Sequence, residues 1–128
     1  MVKNYLSLVK FSHTIFAMPF ALIGFFLGVA DFSLSEIPER YSTVCPPGIL
    51  VFLAVRFLLV ILSMVFARSA TMAFNRWRDK HFDARNPRTA IREIPAGIIS
   101  ANKALTFVIV NGIAFVITTA FIIVVILD

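Results

Sequence analysis

With Cys45 as its one cysteine, the chain has no partner for an intramolecular disulfide and no zinc-ligand spacing. Charged side chains are scarce at 15% of the sequence, against about a quarter in ordinary soluble domains. No internal repeat and no low-complexity segment interrupts the 128 residues. What fills the chain instead is apolar: 59% hydrophobic residues, fourteen of them Phe, and a mean hydropathy of +0.90. This composition excludes an ordinary soluble domain and predicts an all-α membrane protein. The net charge of +5 need not imply nucleic acid, because basic loops are expected on the cytoplasmic side of membrane proteins. Nucleic acid is not an expected partner; the lipid bilayer is.

Three apolar runs predict three transmembrane helices, at about residues 11–30, 49–74 and 104–127. Pro19 removes one backbone donor from the first and predicts a kink. The first run ends in Gly28-Val29-Ala30, as a signal peptide would. Lys10 and His13 sit deep for a charged leader, so it is read as a span. The second run carries one charge, Arg56, to which no role is assigned, and Ser100 is the expected N-cap of the third. Between the first two runs, Asp31 to Gly48 holds Asp31, Glu36 and Glu39 against Arg40, with three prolines that predict a loop. From Arg76 to Lys103, seven cations face three acids. The positive-inside rule places the N-terminus and the 75–103 loop in the cytoplasm, and the first loop and C-terminus outside.

The second run leads into AFNRWRDKHFDARNPR, residues 73–88, where acids and bases crowd together. If the helix continues to residue 83, Asn75, Asp79 and Asp83 drift about 40° per step and share one face, with successive residues about 6 Å apart along the axis. Arg68, seven residues before Asn75, falls close to the same stripe, while His81 lies on another face. Hard oxygen donors at this spacing suit Mg²⁺, which bridges one or two carboxylates to phosphate oxygens. The arginines suit a polyanion that completes the site. A plainer alternative stays open: charges past a transmembrane helix are often solvated, and i,i+4 acid–base pairs only support helix ends. A small non-catalytic membrane protein, whose basic loop binds anionic lipid or a partner, is the corresponding functional alternative.

The Asn75-x3-Asp79-x3-Asp83 pattern resembles the first aspartate-rich motif of the UbiA superfamily of intramembrane aromatic prenyltransferases. NPRTAIREIPAG, Asn86 to Gly97, resembles that family's basic loop, and VKFSHTIFAMPFA, Val9 to Ala21, its first helix. The combined wording is closest to the 4-hydroxybenzoate polyprenyltransferase branch, although a related branch acts on naphthoate-type rings. The resemblance implies transfer of a polyprenyl group from polyprenyl diphosphate to an aromatic acid acceptor in quinone biosynthesis, with Mg²⁺ as cofactor. It implies that Asn75, Asp79 and Asp83 hold the metal through diphosphate, and that Arg88 and Arg92 contact the diphosphate. Arg68, Lys10 and His13 are further candidates for diphosphate contact or acceptor positioning. The family also implies a bundle of about nine helices and a second aspartate motif, whereas this sequence has three apolar runs and one such motif. The expectation is therefore an N-terminal portion of such a bundle, inactive by itself.

Overall fold

The fold is a set of helices joined at one end by a compact, turn-rich loop. The computed structural model describes residues 2–30 and 47–127, with side chains for residues 3–10, 14–30 and 50–124. Cys45, Asp128 and the expected loop as far as Pro46 lie outside the described residues, as does the His13 side chain.

Among the described residues five helices follow in chain order: α1 Val2–Leu8, α2 Phe11–Ala30, α3 Pro47–Arg78, α4 Lys80–Arg85 and α5 Ala101–Leu127. Among the described residues there is no strand. The start of α3 differs from expectation: Pro47 and Gly48 belong to the helix rather than the loop. Proline is favoured at the first helical position because the donor it lacks has no intrahelical partner there. Ser100 caps α5 as its sequence position predicts, its Oγ accepting from the Lys103 N–H at 3.4 Å. Pro19 lies within α2, whose helical span is uninterrupted. The continuous helix expected through residue 83 is instead interrupted at Asp79 (φ −85°, ψ 2°), between α3 and α4.

Leu50–Arg78 and Ala101–Val124 are long and apolar enough to cross a membrane. The apolar run of α2, Thr14–Ala30, is shorter. Only 6% and 11% of the most apolar windows of the two long spans is buried within the chain. A core helix of a soluble protein would bury most of that surface; here Leu50, Leu58 and Val116 of the two spans point outward instead, as do Phe16 and Phe20 of α2. The chain is an integral membrane protein.

Tight packing concentrates at one end. Leu8 at the end of α1 and Val9 after it, Ala73 of α3, and Ile99 and Ala104 around the start of α5 form the buried cluster. Tyr5 stacks on Phe107 with ring centroids 5.1 Å apart, joining α1 to α5. Farther along, Phe25 of α2 meets Phe57 of α3 edge-on at 5.2 Å. The well-packed end therefore carries α1, the end of α3 and the turn-rich loop.

Candidate functional site

Helix periodicity brings Asn75 and Asp79 together where α3 ends. The Asp79 N–H donates to the Asn75 carbonyl at 2.9 Å, and the Asp83 N–H donates to the Asp79 carbonyl at 2.9 Å. The three residues are thus linked by i→i−4 bonds even though the helix is interrupted at Asp79. Their side chains fare differently. Asn75 and the exposed Asp79 line a cavity of about 180 Å³ together with Lys10, Met72, Arg76 and Arg92. Asp83 does not line it. Its carboxylate is buried, with the Arg92 Nη1 donating to both oxygens at 2.8 Å.

The turns after α4 explain that pairing. Asn86 Oδ1 accepts from the Arg88 N–H at 3.0 Å, a local bond that asparagine favours in turns. The Thr89 hydroxyl donates to the Asp83 carbonyl at 2.9 Å, and the Arg92 N–H to the Thr89 carbonyl at 3.0 Å. The chain is thereby folded back so that Arg92 meets Asp83. Gly97, with φ +74°, supplies the left-handed turn that leads to Ile99 and α5.

A second cavity, about 310 Å³, adjoins the first, and Lys10, Arg76 and Arg92 line both. Ser7, Arg88 and Glu93 complete the part that matters electrostatically. Arg76 is nearly buried and donates to Glu93 Oε2 at 2.8 Å, while the Ser7 hydroxyl donates to Glu93 Oε1. One carboxylate thus ties α1, α3 and the loop together. Lys10 follows α1 with φ 43°, a left-handed conformation uncommon for a residue with a side chain.

Of the residues the sequence singles out, Asn75, Asp79, Arg92 and Lys10 converge on the first cavity, and Arg88 reaches only the second. Arg68 lines neither cavity, and its Nε is buried without a hydrogen-bond partner. Arg76, Glu93 and Ser7 are absent from the sequence-derived set. Arg76 adjoins Asn75, but Glu93 and Ser7 stand in no periodic relation to the stripe. A separate apolar cavity of about 230 Å³, lined by Gly24, Gly28, Leu53 and Arg56, lies elsewhere. Arg56 precedes Asn75 by nineteen residues, about 28 Å along a helix.

Among the described residues, no three His, Cys, Asp or Glu side chains converge to cage a metal by themselves. The Asn75 amide and Asp79 carboxylate nevertheless present hard oxygens on one cavity with three cations. That donor set fits an ion such as Mg²⁺, which keeps much of its shell for water and phosphate oxygens. The surrounding cations favour an anion in the same space.

The chain is similar to enzymes of prenyl transfer. It is 41% identical over 51 residues to protoheme IX farnesyltransferase of Archaeoglobus fulgidus, covering 40% of this chain and 18% of that one. It is 43% identical over 47 residues to 4-hydroxybenzoate octaprenyltransferase of Aliivibrio fischeri, covering 37% and 16%. To protoheme IX farnesyltransferase 2 of Mesorhizobium japonicum it is 38% identical over 60 residues, covering 47% and 19%. In each case the match covers less than a fifth of the curated relative's length. No solved structure matches the chain significantly. Residues 44–127, which hold α3, α4, α5 and the loop but not the Val9–Ala21 block, match the UbiA prenyltransferase family, and the chain belongs to that family.

Proposed function

We propose that the end of α3 and the loop after it form the metal–diphosphate part of a site for prenyl transfer to an aromatic acceptor. The observation that carries this reading is the meeting of Asn75 and Asp79 with Lys10, Arg76 and Arg92 on one cavity. Oxygen donors and cations side by side suit a polyanion bound through a divalent ion, and neither group alone explains the other. In the reaction, the bond between the allylic carbon and the diphosphate oxygen breaks and its electron pair leaves with diphosphate. The electrophilic carbon forms a bond to the aromatic ring, which gives up a proton. Lys10, Arg76 and Arg92 would take up the charge that grows on the leaving group. Asn75 and Asp79 would hold Mg²⁺, Asp83 could join them only by giving up its contact with Arg92, and the ion would supply Lewis-acid stabilisation of the departing diphosphate. The outward apolar surface of α3 and α5 gives the polyprenyl chain a lipid-like path to the site.

The acceptor we favour is an aromatic acid such as 4-hydroxybenzoate, as in quinone biosynthesis. Protoheme IX is the competing acceptor, because the names of two relatives point to it. We read α2 as a third span beside α3 and α5, within a bundle of about nine helices. The seven cations from Arg76 to Lys103 support placing this loop and the N-terminus in the cytoplasm and the C-terminus outside.

The test is binding of an allylic diphosphate to membranes holding this chain, with Mg²⁺ or with chelator. Binding is expected only with Mg²⁺, and Asp79→Asn should weaken it about tenfold or more, as for loss of a charged ligand. Metal-independent binding that Asp79→Asn leaves unchanged would sink the reading and favour a basic loop that binds anionic lipid. Turnover is then compared for 4-hydroxybenzoate and protoheme IX, with the chain alone and together with the remaining part of a family enzyme.

A further inference from the structure

Asp83 and Arg92 belong to the same proposed site, yet they are bound to each other. Arg92 Nη1 sits 2.8 Å from both Asp83 oxygens, and the Asp83 side chain is only 10% exposed. The contact is built rather than incidental, because the Thr89 hydroxyl and the turn bonds from Asn86 to Arg92 fold the chain into it. Arg92 also reaches both cavities, beside Lys10 and Arg76. It therefore stands between a buried carboxylate and the space where an anion would lie.

Each ligand taken alone disturbs this pair unfavourably. An anion that draws Arg92 away leaves Asp83 buried without a counter-ion. A divalent cation that takes Asp83 leaves the Arg92 guanidinium uncompensated beside a new positive charge. A buried carboxylate that loses its counter-ion is strongly destabilised, whereas the Arg92 side chain, 37% exposed, is mainly repelled by the cation. When metal and diphosphate bind together, the charges remain matched: Asp83 faces the metal, the metal faces phosphate oxygens, and other phosphate oxygens face Arg92. We propose that the Asp83–Arg92 pair is a specificity device that makes the site select the metal–diphosphate complex over either free component. The inference rests on the reading of the site given above. By linkage, whatever the pair adds to the effect of metal on anion affinity it adds equally to the effect of anion on metal affinity.

The probes are Mn²⁺ and inorganic pyrophosphate, titrated separately and together into the purified chain in lipid nanodiscs. Free Mn²⁺ is read by electron paramagnetic resonance and heat by calorimetry. Arg92→Gln releases Asp83 and is expected to bind Mn²⁺ alone about tenfold more tightly than the unmodified chain, within the usual range of coupling between sites. Asp83→Asn releases Arg92 and is expected to bind pyrophosphate alone, in chelator, about tenfold more tightly. Arg78→Gln is the control for simple charge removal, since Arg78 lies 3.8 Å from exposed Asp79, and it should change either affinity by less than about twofold. Unchanged single-ligand affinities in both Arg92→Gln and Asp83→Asn overturn the proposal while leaving metal-dependent diphosphate binding, and so the functional reading, intact. Should those variants not fold, the unmodified chain still decides. Mn²⁺ is expected to raise its pyrophosphate affinity at least about tenfold, and equal affinity with and without Mn²⁺ overturns both ideas.

Discussion

Glu93 shows how much one residue can hold. Its two oxygens accept from Arg76 of α3 and Ser7 of α1, and both members of the Arg76–Glu93 pair are largely shielded from water. Removing the carboxylate leaves Arg76 buried without its partner, a loss of about 3 kcal/mol for a pair of this kind. Glu93→Ala should therefore lower the melting temperature of the detergent-solubilised chain clearly, and Glu93→Gln less, because the amide oxygen still accepts. An unchanged melting curve for Glu93→Ala would mean that the pair contributes nothing to the fold. Arg76 also lines both cavities, so this contact joins the stability of the loop to the placement of a cation at the proposed site.

At the scale of elements, the end of α3 is where packing and chemistry meet. Ala73 is fully buried among Leu8, Val9, Ile99 and Ala104, two residues before Asn75. Its small side chain lets α1 and the start of α5 close around α3. Ala73→Leu would force three methylene-sized groups into that contact, and overpacking of this sort costs about 1–3 kcal/mol. The expected result is a lower melting temperature together with weaker Mg²⁺-dependent diphosphate binding, since Lys10 is carried by the segment that Leu8 and Val9 anchor. Normal binding by a destabilised Ala73→Leu chain would separate the packing of α1 from the site. The interruption at Asp79 matters at this scale too. It ends α3 but keeps the i→i−4 bonds through Asp83, so the loop starts from a fixed position.

For the whole molecule, the division is between a packed, charged end and helices whose apolar flanks face outward. Water could not cover so much outward Leu, Ile, Val and Phe favourably, whereas lipid can. The cationic loop then marks one membrane face. Single cysteines at exposed Arg88 and Ile98, in a chain whose Cys45 is replaced by Ser, should react with a membrane-impermeant thiol reagent only when the cytoplasmic face is open. Reaction from the opposite face of sealed vesicles would reverse the orientation we propose and move the diphosphate site to the other side.

Most of the helical architecture was legible in the residues themselves. Long apolar runs, Ser100 before α5 and the dense cations after α3 act within a few residues of chain, so hydropathy and capping predict them without knowledge of neighbours. The shared face of Asn75 and Asp79 follows equally from 3.6 residues per turn. The destination of Asp83 does not. A helix wheel places it with the other two, but the turns from Asn86 onward bring Arg92 to it across nine residues. Glu93 meets Arg76 across seventeen residues and Ser7 across eighty-six, through a loop whose course no local pattern encodes. Local periodicity determined which residues stand on one helix face. Only the folded loop decided which of their charges are already matched, because a buried ion pair forms wherever the backbone brings opposite charges together away from water.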